Sequence, residues 1–86
     1  MSDSEPWSIV LDCPPGAPRP SDVLLPVLRG AGLSLDDFGE PDCSFGEWTY
    51  TMDPAKTHLA TPERVLAVGR GLVELYNRGV VRYASW

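Results

Sequence analysis

The stretch from Thr61 to Trp86 constrains this chain most, because it reads as a capped helix that runs almost directly into a strand. Thr61 is an N-cap, since its hydroxyl can accept a first-turn amide hydrogen that has no partner within the helix. Pro62 suits the first helical position, where a missing N–H costs nothing. Glu63 sits where the positive end of the helix dipole favours a carboxylate. On a helical wheel, Val65, Leu66, Val68, Leu72, Val73, Leu75 and Tyr76 fall on one half, and Arg64, Arg70, Glu74, Asn77 and Arg78 on the other. That pattern predicts one amphipathic helix to about residue 77, its apolar half facing a core. Arg70, Glu74 and Arg78 are spaced as an i, i+4 ladder. Gly79 can end the helix in the left-handed conformation. Residues 80–86 are β-branched and aromatic, which predicts a strand. Gly69 and Gly71 each cost about 1 kcal/mol relative to alanine inside the helix. Gly69 lies on the apolar side, so close approach of another backbone is expected there.

The residues upstream supply what this unit packs against. Residues 1–6 predict a flexible lead-in, and residues 7–86 a single domain. Trp7, Ile9 and Leu11 alternate with Ser8, Val10 and Asp12, which predicts a strand over 7–12. Residues 13–20, CPPGAPRP, must be loop. Ser21 can cap a second helix whose face is Val23, Leu24, Val27 and Leu28; Pro26 makes it short, and Gly30 or Gly32 ends it. Leu33 and Leu35 alternate with Ser34 and Asp36, as in a weak strand, while Ser34 before Leu35-Asp36-Asp37 equally suits a capped helical turn. Phe38 anchors this segment to the core. Residues 45–52 predict a firmer strand, with Gly46, Trp48, Tyr50 and Met52 toward the core and Phe45, Glu47, Thr49 and Thr51 away from it. Residues 53–60 read as loop.

The order is strand, helix, weak strand, strand, helix, strand. It predicts an α+β fold of the βαββαβ, ferredoxin-like kind, a two-layer sandwich with two helices on one face of an antiparallel sheet. The open face is expected to show Ser8, Val10, Glu47, Thr49, Thr51 and Arg82. Without the weak strand, a three-stranded α+β variant remains. A winged helix is the next competitor, and the acidic charge and early strand argue against it.

No apolar run approaches the roughly 20 residues of a membrane span. The acidic start lacks the basic and apolar blocks of a signal peptide, so the expectation is a cytoplasmic protein. One Lys, one Ile, one Asn and no Gln, against many Pro, Gly, Val, Leu and Arg, suggest a GC-rich bacterial or phage genome. Cys13 and Cys43 form no CxxC; the expectation is inert free thiols, with a bridge left open. The net charge of −5 is uneven. Residues 30–55 carry six carboxylates and no Lys or Arg, hence −6. Residues 56–86 carry five cations against Glu63 and Glu74, hence +3. An acidic whole argues against direct binding to nucleic acid, whose affinity is largely phosphate neutralisation.

There is no phosphate-binding Gly-rich loop, no metal-spaced His/Cys set and no nucleophile elbow. Neither cofactor nor metal is expected. His58, the sole histidine, would need Asp53 or Cys43 beside it to act as base or ligand, and reads better as a solvated loop residue. The reading these features favour is a small acidic, non-enzymatic interaction module of inhibitor, immunity or adaptor type. Its contact would be Asp36, Asp37, Glu40, Asp42, Glu47 and Asp53, and its partner a basic protein. The alternative is a small-molecule binder or minor enzyme, dimeric, with a pocket near Trp48, Tyr50, His58 and Tyr83. A weaker alternative is a DNA mimic that occupies a nucleic-acid-binding protein through its carboxylates. Trp86 is expected to cover a sheet edge or to meet a second subunit.

Overall fold

The computed structural model describes residues 6–86. The expected flexible lead-in falls on residues 1–5, outside the described part, except for Pro6. Strand β1 (Ser8–Asp12) follows the alternation of its sequence: Ile9 and Leu11 are fully buried, and Ser8, Val10 and Asp12 are not. Trp7 leads into it, with its ring centroid 5.8 Å from that of Phe38.

Helix α1 (Pro20–Gly30) starts one residue before the expected cap. Arg19 holds the cap position without a side-chain bond, and Pro20 sets the first turn. Ser21 is therefore released from capping, and its Oγ lies 2.7 Å from the Tyr50 hydroxyl. Pro26 stays inside the helix, giving up the bond to the Asp22 carbonyl, while Val23, Leu24 and Leu28 are buried.

The expected strand near residue 33 is a 3₁₀ turn, Leu35–Asp37. The Asp36 amide donates to Ser34 Oγ at 3.1 Å, and the Ser34 amide donates to Asp37 Oδ2 at 3.0 Å. This reciprocal cap is local and outcompetes a ladder that Leu33 and Leu35 alone could support. Pairing begins later, at a Phe38–Met52 bridge, and resumes in the short strand β2 (Asp42–Ser44). Pro41 sits in the gap, where it has no amide to give a ladder.

Strand β3 (Glu47–Thr51) begins two residues later than expected, because Phe45 and Gly46 form the turn. Three of the four expected core-side residues face inward, since Tyr50 is buried, Trp48 half-buried and Met52 just beyond the strand buried, but Gly46 lies exposed in the turn, where it is free of the strand's alternation. The expected loop contains a second 3₁₀ stretch, Pro54–Leu59, where Asp53 Oδ1 accepts the Ala55 amide at 2.9 Å. Helix α2 (Pro62–Asn77) starts and ends where its caps require. Thr61 Oγ1 accepts the Arg64 amide at 3.3 Å, and Gly79 follows with φ 78°. Of the expected charge ladder, Glu74 and Arg78 are paired, at 3.6 Å. Strand β4 (Tyr83–Ser85) is shorter than 80–86, and Val81, ahead of it, is buried in the core. Arg82 holds it to β1 twice: its amide donates to the Asp12 carbonyl at 2.7 Å, and its guanidinium to Asp12 Oδ1 at 2.9 Å.

The sheet order is β2-β3-β1-β4, with every neighbouring pair antiparallel. Val23, Leu24 and Leu28 of α1 and Val68 and Leu72 of α2 meet Ile9, Leu11, Tyr50 and Met52 in one core. Each fully buried aliphatic side chain contributes about 2 kcal/mol of transfer free energy. The result is a two-layer α+β sandwich, an open four-stranded antiparallel sheet with two helices on one face. No helix of the described residues is long and apolar enough to cross a membrane.

Candidate functional site

The register places the acidic residues in two groups rather than one patch. Asp36, Asp37 and Asp53 lie at the far end of β3, where Asp53 donates its amide to the Asp37 carbonyl. Lys56 closes this end, with its Nζ 3.4 Å from Asp37 Oδ1 and 3.3 Å from the Asp36 carbonyl. Asp37 and Asp53 also cap the two 3₁₀ turns, so these carboxylates hold local structure. Glu47 starts β3 at the opposite end, six residues from Asp53, or about 20 Å along an extended chain.

There, Asp42 pairs with Thr49 and Ser44 with Glu47, which puts both carboxylates on the open face of the sheet near the β2–β3 turn. Asp12 stands opposite Glu47 on the same face and is paired with Arg82. No Lys or Arg of the described residues lies within salt-bridge distance of Glu40, Asp42 or Glu47. Between the two strands, Phe45 has φ 52° and Gly46 φ 83°. Two positive φ values are what a two-residue hairpin with the native strand twist demands, and Asn-Gly or Asp-Gly is its usual sequence. Here an aromatic occupies the first position, fully exposed at 103%. A bulky side chain in the left-handed region costs about 1–2 kcal/mol. The tip is thus a strained, solvent-facing phenyl ring with Asp42 and Glu47 close behind it. Sequence patterning assigned Phe45 to the strand; the signal that could have found it is the X-Gly pair between two β-forming runs.

The four residues of the expected pocket, Trp48, Tyr50, His58 and Tyr83, do not meet. Trp48 and Tyr50 point to the helix side, and the Tyr50 hydroxyl is engaged by Ser21. Burial pushes the Tyr50 phenol up, and the Ser21 bond partly offsets this. Tyr83 lies two strands away on β4, on the open side, and His58 is exposed on the 3₁₀ stretch. Tyr50 borders a groove of about 210 Å³ beside Phe38 and Glu40, and Tyr83 a separate one of about 240 Å³ beside Tyr76 and Trp86. Both are open to solvent. No cluster of His, Cys, Asp or Glu among the described residues has metal-binding geometry.

Both thiols are free; Cys43 is exposed on β2 and Cys13 follows β1. Strand β3 separates β1 from β2, two spacings or about 9.6 Å, beyond the roughly 7 Å that a disulfide spans. Burial pushes the Cys13 thiol up, and the Asp12 carboxylate adds to that, while Arg82 opposes it. Cys13 is therefore a poor nucleophile at neutral pH.

Compared with models of known families, with characterised proteins and with solved structures, the chain gives no match.

Proposed function

We propose that this chain is a non-catalytic protein-binding module that docks its β2–β3 hairpin on a basic protein partner, with Phe45 as the apolar anchor. One observation carries the reading: a fully exposed aromatic held at φ 52°. Folding gives no reason for phenylalanine there, because asparagine or glycine would relieve the strain. Binding does give a reason, since aromatic anchors that fill a partner's pocket dominate interface energetics. Asp42 and Glu47 beside the ring, with Glu40 on the same segment, suit a partner surface of positive charge. The scaffold is read as a ferredoxin-like split βαβ sandwich. In support, the order β4-β1-β3-β2 sets β3 between β1 and β2, the strands that α1 connects, and β1 between β3 and β4, the strands that α2 connects.

The test is a paired pull-down from lysate of the source organism with the wild-type chain and Phe45→Asn, washed at low and high salt. The expected result is a stoichiometric basic protein on the wild type that is released by salt and absent from Phe45→Asn. The variant should meanwhile be more stable to urea by about 1 kcal/mol, since asparagine accepts the left-handed turn. A partner retained equally by Phe45→Asn would overturn the reading. A partner displaced by DNA would assign the carboxylates to DNA mimicry instead.

A further inference from the structure

We infer that the chain associates with itself head to tail, the Phe45 tip of one copy seating in the groove between α2 and β4 of the next. This rests on the reading of Phe45 as a docking anchor and adds its regulation, because a tip seated in another copy is withheld from any other protein.

The anchor calls for an apolar recess rimmed by positive charge, and the chain carries one on the edge opposite the tip. Val73 and Tyr76 of α2, with Tyr83 and Trp86 at β4, line a groove of about 240 Å³, and all four are about half exposed. Gly69 makes one wall possible: the Trp86 indole lies where a Cβ on residue 69 would sit 2.7 Å from its Nε1. Three aromatic rings around one groove suit a phenyl ring, which packs favourably edge to face against them. The room suffices, since an apolar cavity of about 150 Å³ admits benzene.

Free charge at the two surfaces is opposite in sign. Asp42 and Glu47 stand behind Phe45, with no salt bridge to Lys or Arg of the described residues. On the groove side, Arg82 is held by Asp12 and Arg78 by Glu74. Arg70 precedes Val73 by three residues and so lies beside it on the helix surface. It is exposed and has no salt bridge among the described residues. Pairing either surface with its own copy sets like charges together, whereas tip against groove sets carboxylates toward a cation. The −5 that each copy carries overall acts at longer range, and salt screens it beyond about 8 Å at physiological ionic strength.

Topology prevents a copy from filling its own groove. Strands β3 and β1 separate β2 from β4, three spacings or about 14 Å. The contact is therefore heterologous: each added copy leaves one tip and one groove free, and the assembly stays open. A hairpin tip buries less than the roughly 800 Å² per partner of a standard interface, so the association belongs to the weak, transient class.

Sedimentation equilibrium of the full chain at physiological ionic strength, over concentrations up to about 1 mM, tests this. The expected result is an average mass that rises with concentration past that of a dimer. Phe45→Asn and Val73→Glu, one at each surface, should each weaken association at least tenfold with the far-ultraviolet dichroism unchanged. Arg70→Glu, at an exposed position, should weaken it several-fold. Mixed in equal amounts, Phe45→Asn and Val73→Glu should form a dimer and nothing larger, because one intact tip then meets one intact groove. A wild type that stays monomeric throughout, or a mixture that fails to dimerise, would overturn the inference and leave the Phe45 reading to its own test. Association that Phe45→Asn leaves unchanged would count against both.

Discussion

Tyr50 joins the two layers at a single atom, its hydroxyl lying 2.7 Å from Ser21 Oγ on α1. Burial holds the phenol above its ordinary value of 10.0, so the folded state prefers the protonated ring. The sign follows. This preference stabilises the fold in full below the ordinary value and is lost as pH rises through the raised, folded one. Urea stability should therefore decline above about pH 10. Tyr50→Phe should flatten that decline and cost about 1 kcal/mol at neutral pH, for a hydrogen bond lost and a hydroxyl left without its partner. The Cys13 thiol is raised from 9.0 and titrates in an overlapping window, so the comparison is made in a Cys13→Ala background. A decline of equal steepness in both chains would refute the assignment. Sequence alternation sufficed to place Tyr50 in the core. It could not supply the Ser21 contact, because Ser21 becomes available only once Pro20 takes over the start of α1.

At the scale of elements, helix α2 was legible from end to end and β2 was not, and the difference is where the controlling interactions lie. Thr61, Pro62 and Gly79 act within a few residues of themselves, so their effect can be read along the chain. Strand β2 is Asp-Cys-Ser, which has no strand pattern, and it exists because β3 offers a ladder. The glycines of α2 were visible as blemishes, but what they admit was not. Gly69 admits the Trp86 indole rather than a backbone, and Gly71 admits Val27 of α1. A Cβ at residue 71 would lie 2.8 Å from Val27 Cγ1. Gly71→Ala gains about 1 kcal/mol of helix propensity and loses about 1–3 kcal/mol to overpacking. The net expectation is a loss of about 1 kcal/mol in urea unfolding, recovered in Gly71→Ala/Val27→Ala, where the obstructing methyl groups are gone. If the double variant is no more stable than Gly71→Ala alone, the helices do not meet at that contact.

The whole molecule is polarised by its topology. One alternating pass through the sequence yields the order of strands and helices, but a helical wheel cannot say which third of an apolar half faces the core. For that reason the wheel does not show that Leu66, Val73 and Tyr76 stay about half exposed, or that Val73 and Tyr76 border a groove with Trp86. The acidic block was visible as charge, and the fold divides it by role. Asp36, Asp37 and Asp53 share one end with Lys56, while Asp42 and Glu47 stand behind Phe45 at the other. Exposed charges act mainly on the rate of encounter, over distances that salt screens to about 8 Å at physiological ionic strength. A double change, Asp42→Lys with Glu47→Lys, should therefore slow association with the proposed basic partner roughly tenfold at low salt and leave dissociation within about twofold. Asp36→Lys, at the far end, should change either rate by less than about twofold. Phe45→Asn should do the reverse of the double change, raising dissociation far more than it alters association, because the anchor acts only after contact. Stopped-flow or surface binding kinetics at two salt concentrations separate these outcomes. If the lysine pair accelerates dissociation while association holds, the carboxylates lie inside the contact instead of beside it, and the docking surface extends from the tip across the open face of the sheet.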